Sequence, residues 1–320
     1  MKLLLAKLNH LGDTLLLTPT LRALRQKFPG AQIDVVVRPG CEGVLAGNPD
    51  ISRIIVSNDA LGRVIGKRYD YAFDLSNSDR AKLLLAVSGA RVRAINEWHA
   101  ELGWKRALFN RFTHFEWASG HQVLRDYRAV SDVVGLPPEP GPLVLDTEVE
   151  PPPAPAAPYA VIHPVSRWSF KEWLPERWAA VADALRRRHG LWVVLSCGPD
   201  ARERSVVDAI LHASKEKHEK TGGTLTLRQL GRLIRGARLF AGVDTVAMHI
   251  AAAVQAPVVA LFGPSSEWSW RPWHCRHELV LGPCSCKVTR EFVCDKSAIY
   301  PCMAAIGADS VSGAAERLLA

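Results

Sequence analysis

The sequence predicts an α/β protein with two domains, each built on a parallel sheet that helices cover on both faces. Two observations support this prediction. Apolar segments typical of buried strands alternate with helical segments, and this alternation stops at a proline-rich stretch and then starts again. The chain has 320 residues and is 48% apolar, so it is longer than the roughly 250–300 residues at which single cores stop growing.

The first predicted domain covers residues 1–157. KLLLAKL (2–8) is apolar enough for a buried strand, and TLLLTPTLRALRQKF (14–28) has the spacing of a helix that ends at Pro29-Gly30. IDVVVRP (33–39) predicts the next strand, and its apolar run without alternation is typical of parallel sheets. The further predicted strands are DISRIIVSN, YDYAFDLS and ARVRAIN.

A linker is predicted at residues 137–158, PPEPGPLVLDTEVEPPPAPAAP, because proline-dense chain continues neither a helix nor an interior strand. The second predicted domain covers residues 158–320. Its predicted strands are YAVIHP (159–164), LWVVLSCG (191–198), LFAGVD and APVVALFG, and helices such as PERWAAVADALRRRHG, LTLRQLGRLIRGA and TVAMHIAAAVQ lie between them. Both halves therefore have a Rossmann-like pattern.

Composition narrows the functional classes. A charged fraction of 22% and a mean hydropathy of +0.01 are globular rather than disordered. No apolar run reaches the roughly 18 residues of a spanning helix, and the first residues lack a secretory apolar region, so a cytoplasmic location is expected. The net charge of +8 lies mostly in the second half. It suits an anionic ligand such as a nucleotide diphosphate, or is an ordinary basic surface, but it forms no block of the nucleic-acid-binding type.

Seven cysteines are unevenly placed, and five of them fall between Cys275 and Cys302. The segment CSCKVTREFVCDKSAIYPC (284–302) has neither paired C-x-x-C units nor a histidine at zinc-finger spacing. Reduced thiols are therefore expected, with a structural zinc as the alternative for Cys284, Cys286, Cys294 and Cys302.

Ligands of open parallel sheets bind beyond the carboxyl ends of the strands, and four polar clusters are predicted there. The first is HLGD (10–13), where Asp13 precedes a predicted helix. Asp13 is either an N-cap, which accepts the free amides of the first turn, or a general base facing a cleft between the domains. Gly12 would allow the backbone to approach a substrate closely.

The second cluster, HPVSRWSFKEW (163–173), offers the Ser166 hydroxyl and the cations Arg167 and Lys171 for phosphate oxygens. The alternative is a surface loop with its aromatic residues packed between elements. The third cluster, GVDTVAMHIAAA (242–253), places Asp244 at a strand end and begins a helix near Thr245 and Val246. The free amides of such a helix start suit a diphosphate.

His249 lies four residues after Thr245, so both residues share one side of that helix, although a lone helical histidine is also a common structural residue. The fourth cluster contains CGPD (197–200) and LFGPSSEWSWRPW (261–273). Asp200 is either a ligand of ribose hydroxyls or a helix cap. The sequence has no G-x-G-x-x-G and no G-x-x-x-x-G-K-[ST], which argues against a dinucleotide dehydrogenase and a P-loop enzyme.

Aromatic residues alternate with Lys105, Arg106 and Arg111 in the segment at 98–121. Such a segment contacts a phosphorylated sugar on a lipid, lies at an anionic membrane surface, or is a helical pair with its aromatic residues in the core.

These motifs together resemble family 9 glycosyltransferases, the ADP-heptose:lipopolysaccharide heptosyltransferases. The resemblance runs from about residue 2 to 273, is weaker across 60–130, and does not extend beyond Gly282. It is carried by KLNHLGDTLLLTPTLRALRQKFPGAQIDVVV, HPVSRWSFKEW, LSCGPD, LTLRQLGRLIRGARLFAGVDTVAMHIAAAVQAPVVALFGPS and WRPW. The H-x-G-D opening and the R-W-x-F-K-x-W loop are most like the heptosyltransferase III type.

The resemblance implies a GT-B fold of two Rossmann-like α/β/α domains, with the acceptor on the first and the nucleotide sugar on the second. It implies inverting transfer of L-glycero-D-manno-heptose from ADP-heptose to an inner-core heptose of lipopolysaccharide, with no cofactor and no obligatory metal. By matched motif, Asp13 is the base. The donor residues are Ser166, Lys171, Asp200, Asp244, Thr245, Val246 and His249, and Val246 stands where many relatives have a smaller residue.

Overall fold

The computed structural model describes residues 1–97, 103–115, 120–284, 286, 294 and 299–320. The chain forms two compact units, which are Met1–Asp146 and Thr147–Ala320. Each unit contains one six-stranded sheet, and the α/β class predicted from the sequence is confirmed. In the described ranges no helix is both long and apolar enough to cross a bilayer.

The sheet of unit 1 has the order β3-β2-β1-β4-β5-β6, and every adjacent pair of strands is parallel. Its strands are β1 (Lys2–Lys7), β2 (Gln32–Val37), β3 (Arg53–Val56), β4 (Tyr71–Asp74), β5 (Val92–Asn96) and β6 (Arg111–Thr113). Its helices are α1 (Leu11–Leu16), α2 (Thr18–Lys27), α3 (Ala60–Val64), α4 (Asp79–Val87) and α5 (Gln122–Val134), with a short 3-10 helix at Gly103–Leu108. The central strand β1 is apolar because it is buried on both faces.

The stretch predicted as one helix over residues 14–28 is two helices in the structure. The first begins at Leu11, two residues before Asp13, and the second begins at Thr18. Pro19 occupies the first turn of α2, where its missing N–H breaks no helical hydrogen bond. The apolar spacing was therefore correctly interpreted as helical, but it could not show the break at Leu17.

The sheet of unit 2 has the order β12-β11-β10-β7-β8-β9 and is also parallel throughout. Its strands are β7 (Tyr159–His163), β8 (Trp192–Leu195), β9 (Glu219–Lys220), β10 (Leu239–Val243), β11 (Val258–Phe262) and β12 (His277–Leu281). Its helices are α6 (Pro175–His189), α7 (Ala201–Ala213), α8 (Leu227–Arg235), α9 (Val246–Ala253), α10 (Glu267–Trp270), α11 (Pro301–Ala304) and α12 (Ala308–Leu319).

The strand order reverses beside β7 and β10, which lie next to each other at the centre of this sheet. A Cβ at Gly242, near the end of β10, would lie 2.8 Å from the carbonyl oxygen of His163 and 3.0 Å from the Phe240 ring. Glycine at this position therefore lets the two strand ends approach closely, at the place where open α/β sheets bind their ligands.

Candidate functional site

The turn from β10 into α9 lies at the carboxyl edge of the unit 2 sheet. Asp244 follows the last residue of β10, Thr245 is the N-cap of α9, and Val246 is its first residue. The hydroxyl of Thr245 is buried and has no hydrogen-bond partner among the described residues, so it does not cap the helix with its side chain. The predicted helix start is thus confirmed, and its first backbone amides are available to an anion.

Lys171 lies beside this helix start. Its Nζ is 2.7 Å from Oδ2 of Asp244, in an ion pair whose side chains are 21% and 7% exposed. Lys171 ends a short 3-10 helix, Ser169–Lys171, in the loop that follows β7. The structure therefore brings together two residues that are 73 positions apart, and it places a cation next to the amides of α9. This arrangement is suited to a phosphate group, which both features attract.

The loop that carries Lys171 is held in shape by Arg202 and Glu172. The Arg202 guanidinium donates to both Glu172 carboxylate oxygens at 2.8 and 2.9 Å and to the Ser166 carbonyl at 2.6 Å. Ser166 in turn donates its backbone N–H to Glu172 Oε1 at 2.9 Å. Sequence reasoning missed both Arg202 and Glu172, because no local pattern links a charge on α7 to one in a loop 30 residues earlier.

The aromatic residues of this loop divide into two groups. Trp173 is fully buried and meets Trp178 edge-on, which is the packing role that the sequence left open. Trp168 is 47% exposed and stacks on Phe170, which stacks on Tyr300. Trp173 therefore packs inside unit 2, whereas Trp168 remains exposed on the loop.

Asp200 and His249 lie on helices near this edge. Asp200 caps α7, because its Oδ1 accepts the Arg202 backbone N–H at 2.8 Å. The capping alternative is thus confirmed, and it leaves the second carboxylate oxygen for other partners. His249 is buried on α9, and its backbone N–H reaches the Thr245 carbonyl at 3.4 Å. The predicted shared side of Thr245 and His249 is consistent with this spacing of one turn.

His163 is a buried residue at the end of β7 that the sequence did not identify as a candidate. Its Nδ1 lies 3.0 Å from the Ser196 hydroxyl. Burial lowers the pKa of His163 to about 4, so the imidazole is neutral at physiological pH. The His163 side chain, at the last position of β7, therefore adds no positive charge to this edge of the sheet.

In unit 1, Asp13 is the third residue of α1 and is half-buried. It is not an N-cap, since that position belongs to His10. Its Oδ2 accepts the His10 backbone N–H at 3.3 Å and completes a capping box. The predicted N-cap role of Asp13 is therefore wrong, because the helix starts two residues earlier and the carboxylate orients the start of α1 from its first turn.

A buried charge cluster lies close to Asp13. The Nζ of Lys7, at the end of β1, is 2.7 Å and 2.9 Å from the two carboxylate oxygens of Asp126 on α5 and 3.2 Å from the Leu75 carbonyl. Gln122 donates to the same carboxylate at 3.1 Å. Burial raises the pKa of Asp126, Lys7 opposes that rise, and the negative charge of Asp13 adds to it. Asp13 is therefore near enough to this buried pair for its charge to act on Asp126.

The three cations predicted to bind the acceptor lie on one edge of unit 1. Lys105 is 2.6 Å from Asp79 of α4, and Arg106 pairs with Glu97 and stacks on Phe112 at 3.9 Å. Arg111 is exposed on β6. Among the described residues, no hydrogen bond or ion pair joins these cations to Asp13. Parts of the segment predicted at 98–121, residues 98–102 and 116–119, lie outside the described residues.

The described cysteines are free thiols. Burial raises the pKa of Cys275 to about 12 and that of Cys302, next to Cys284, to about 11. In the part of the chain that the structure describes, no three histidine, cysteine or acidic side chains are grouped as metal ligands. Residues 285, 287–293 and 295–298 of the cysteine-rich segment lie outside the described residues.

The chain is similar to glycosyltransferases of one known family. The family model described as glycosyltransferase family 9 (heptosyltransferase) matches residues 59–299. Lipopolysaccharide heptosyltransferase 3 of Escherichia coli is 30% identical in an alignment 292 positions long that covers 82% of this chain and 83% of that protein.

Two solved structures show the fold. E. coli ADP-heptose lps heptosyltransferase II matches with a TM-score of 0.80 at 22% identity, over 100% of this chain and 98% of that one. E. coli heptosyltransferase WaaC with ADP-2-deoxy-2-fluoro heptose matches with a TM-score of 0.78 at 20% identity, over 99% of both chains. The predicted GT-B fold is thereby confirmed.

Proposed function

The chain belongs to glycosyltransferase family 9, and from this membership we propose that it transfers L-glycero-D-manno-heptose from ADP-heptose to an inner-core heptose of lipopolysaccharide. The E. coli relative bears the name lipopolysaccharide heptosyltransferase 3, and a structure of the same fold is titled as a complex with an ADP-heptose analogue. The sugar, the nucleotide and the acceptor are therefore proposed by analogy with these proteins.

The observation that carries the proposal is the Lys171–Asp244 ion pair at the start of α9. A sugar diphosphate needs a cation and free amides for its phosphate oxygens, and this arrangement provides both. We assign Lys171 and the Thr245 and Val246 amides to the diphosphate, with the Ser166 hydroxyl beside them. On binding, the phosphate competes with Asp244 for the Lys171 ammonium.

The remaining donor residues are assigned to the parts of the nucleotide sugar next to the diphosphate. Asp244 and His249 orient the donor, and Asp200 uses the oxygen that does not cap α7 to accept from the ribose hydroxyls. Val246 supplies an amide, while its branched side chain narrows the pocket relative to a smaller residue.

Asp13 is the proposed general base. Its carboxylate takes the proton from the attacking acceptor hydroxyl while that oxygen bonds to the anomeric carbon of the heptose and ADP leaves from the opposite face, which inverts the configuration. The buried ion pair of Lys7 and Asp126 lies close enough to interact electrostatically with Asp13. Lys105, Arg106 and Arg111 are proposed to bind anionic groups of the acceptor. To do so, Lys105 must leave its ion pair with Asp79, and Arg106 must leave its ion pair with Glu97.

The chemistry follows from the change in charge. As the bond between heptose and diphosphate breaks, negative charge grows on the departing ADP, and Lys171 with the start of α9 stabilises it. Positive character develops on the sugar ring as the acceptor oxygen loses its proton to Asp13. These interactions raise the rate because they strengthen in the transition state. No step in this scheme uses a metal or a cofactor.

Release of ADP tests the donor. Purified protein is incubated with ADP-heptose and a heptose-truncated lipopolysaccharide, and ADP is measured over time. The proposal predicts ADP release that depends on the acceptor. If only another nucleotide sugar is turned over, the donor assignment is wrong, and if no donor is consumed, the chain is a binding module.

The role of Asp13 is tested by Asp13→Ala. We expect turnover to fall at least about a hundredfold, which is the lower range for general base catalysis. Near-normal turnover with a lowered melting temperature would show that Asp13 only completes the capping box, and that the base lies elsewhere.

The reaction is proposed to take place in the cytoplasm, at the cytoplasmic face of the inner membrane, because a lipid-linked acceptor lies in a bilayer.

A further inference from the structure

We propose that the outer surface of the α3–α4 layer in unit 1 docks on an anionic lipid bilayer. This layer consists of α3, α4 and the 3-10 helix Gly103–Leu108. The inference deepens the proposed function and depends on it in one respect, which is that the acceptor is carried by a lipid.

Large apolar side chains are concentrated on this layer. Among the described residues, eight large apolar side chains are exposed, and four of them belong to it: Leu61, Ile65, Leu83 and Trp104, which are 48%, 54%, 51% and 77% exposed. A folded chain exposes single apolar residues routinely, but a concentration of them on one layer indicates a contact surface.

The inner faces of α3 and α4 share one core. Ala60 and Val64 of α3 and Leu84 and Leu85 of α4 belong to the same buried cluster. Since these inner faces meet, the exposed side chains of both helices point away from the same core. Ile65 follows the last residue of α3 as its C-cap, and its backbone N–H donates to the Leu61 carbonyl at 3.0 Å, so the two exposed residues are held one turn apart.

Backbone and side-chain contacts tie the layer together. Gly66 donates its N–H to the Val87 carbonyl at 2.9 Å, which joins the ends of α3 and α4. Lys105 binds Asp79, which lies one turn before Leu83 on α4. Trp104 is exposed on the same 3-10 helix, Gly103–Leu108, which contacts α4.

The surface is also basic. Residues 60–68 contain Arg63, Lys67 and Arg68, all exposed, and no acid. Arg80 adds an exposed cation on α4, while the acid of α4, Asp79, is already paired with Lys105. Apolar residues and a tryptophan among arginines and lysines match the headgroup region of an anionic bilayer. Long cationic side chains place their charge at the phosphates while their stems lie beside apolar residues.

Vesicle co-sedimentation tests the proposal. The full chain is mixed with vesicles of phosphatidylcholine alone and with vesicles of equal parts phosphatidylcholine and phosphatidylglycerol. We expect binding to the anionic vesicles that weakens as salt is raised. The Arg63→Gln/Lys67→Gln variant should bind about fivefold less for each cation removed, which corresponds to the contribution of one basic residue near such a surface.

Apolar variants have a matched control. Trp104→Ser and Leu61→Ser/Ile65→Ser should each lose at least about tenfold in vesicle binding. Trp268→Ser removes a tryptophan that is 68% exposed in unit 2 and should bind like the parent. Equal binding by Trp104→Ser and the parent would overturn the proposal, and so would equal losses in Trp104→Ser and Trp268→Ser.

Two further measurements separate this inference from the proposed function. Transfer to a delipidated, water-soluble core oligosaccharide should be unchanged in Trp104→Ser, because docking is not needed there. If the parent transfers heptose but ignores anionic vesicles, the docking surface is wrong and the proposed function stands. A third outcome is that sedimentation velocity shows the parent to be a dimer and Trp104→Ser a monomer, with equal vesicle binding by both. In that case the surface contacts a second copy of the chain instead of a bilayer.

Discussion

Replacing Lys171 by methionine removes the cation from the start of α9 while keeping a side chain of similar length. The lost ammonium lies 2.7 Å from Asp244, at the position assigned to the diphosphate. Removing one preorganised stabiliser of a developing charge lowers kcat by about 10²–10³. We therefore expect Lys171→Met to lose two to three orders of magnitude in acceptor-dependent ADP release, which steady-state kinetics measures directly.

The same substitution has a cost in stability. Asp244 is 7% exposed and would lose its ion-pair partner. Breaking a fully buried pair costs about 3–5 kcal/mol. Because Lys171 is 21% exposed, water reaches this pair, and a smaller loss of about 1–3 kcal/mol is expected in urea denaturation.

Lys220→Met is the control, since it also removes an ion-paired lysine of unit 2, but on an exposed surface with Asp208. This variant should unfold within about 1 kcal/mol of the parent and keep its kcat. A Lys171→Met protein that is folded and turns over at the parental rate would refute the phosphate role of Lys171.

Three further predictions concern single residues. Lys7→Met leaves Asp126 buried without its cation and should cost about 3–5 kcal/mol in urea denaturation, whereas Lys7→Met/Asp126→Leu should recover most of that loss; equal stabilities of the single and double variants would contradict the pairing. Asp200→Ala should lose about 1 kcal/mol through its cap, and its KM for ADP-heptose should rise if the ribose assignment is right; an unchanged KM leaves only the cap. His163 has a folded pKa of about 4, below its ordinary value, so the unfolded chain binds a proton first and stability should fall as the pH drops from about 6.5 towards 4. His163→Gln should remove that part of the slope, and identical pH profiles of parent and variant would contradict it.

The strand-end rule located the turn from β10 into α9 from the sequence. Asp244, Thr245 and Val246 could be placed because an apolar strand is followed directly by a helix, so the order of residues alone predicts the turn. The Lys171–Asp244 pair could not be found in this way. Its partners are 73 residues apart, and their meeting depends on β7 and β10 lying side by side.

The same limit applies to unit 1. Asp13 was identified at the end of the first strand, but the sequence placed it before the helix rather than in its first turn. Helix starts are set by which residue supplies the cap, and a histidine at that position is a weak signal. The buried partners Lys7 and Asp126 are 119 residues apart, and nothing local marks either of them as buried.

For residues with two predicted roles, the structure tests one role and leaves the other as a prediction. Asp200 was predicted as either a cap or a ribose ligand, and the structure shows the cap because that contact lies within three residues. The ribose role needs the ligand and stays a prediction. The loop at 163–173 was predicted either to hold phosphate oxygens or to be a surface loop with its aromatic residues packed between elements, and the fold shows that packing for Trp173 but leaves Trp168 47% exposed.

Mass spectrometry of the acceptor after reaction is the most direct test of heptosyl transfer. Heptose-truncated lipopolysaccharide is incubated with the purified protein and ADP-heptose and then analysed. The account predicts that the acceptor gains the mass of one heptose residue, and that Asp13→Ala gives almost no such product. An acceptor of unchanged mass in the presence of folded protein and intact ADP-heptose would contradict the account.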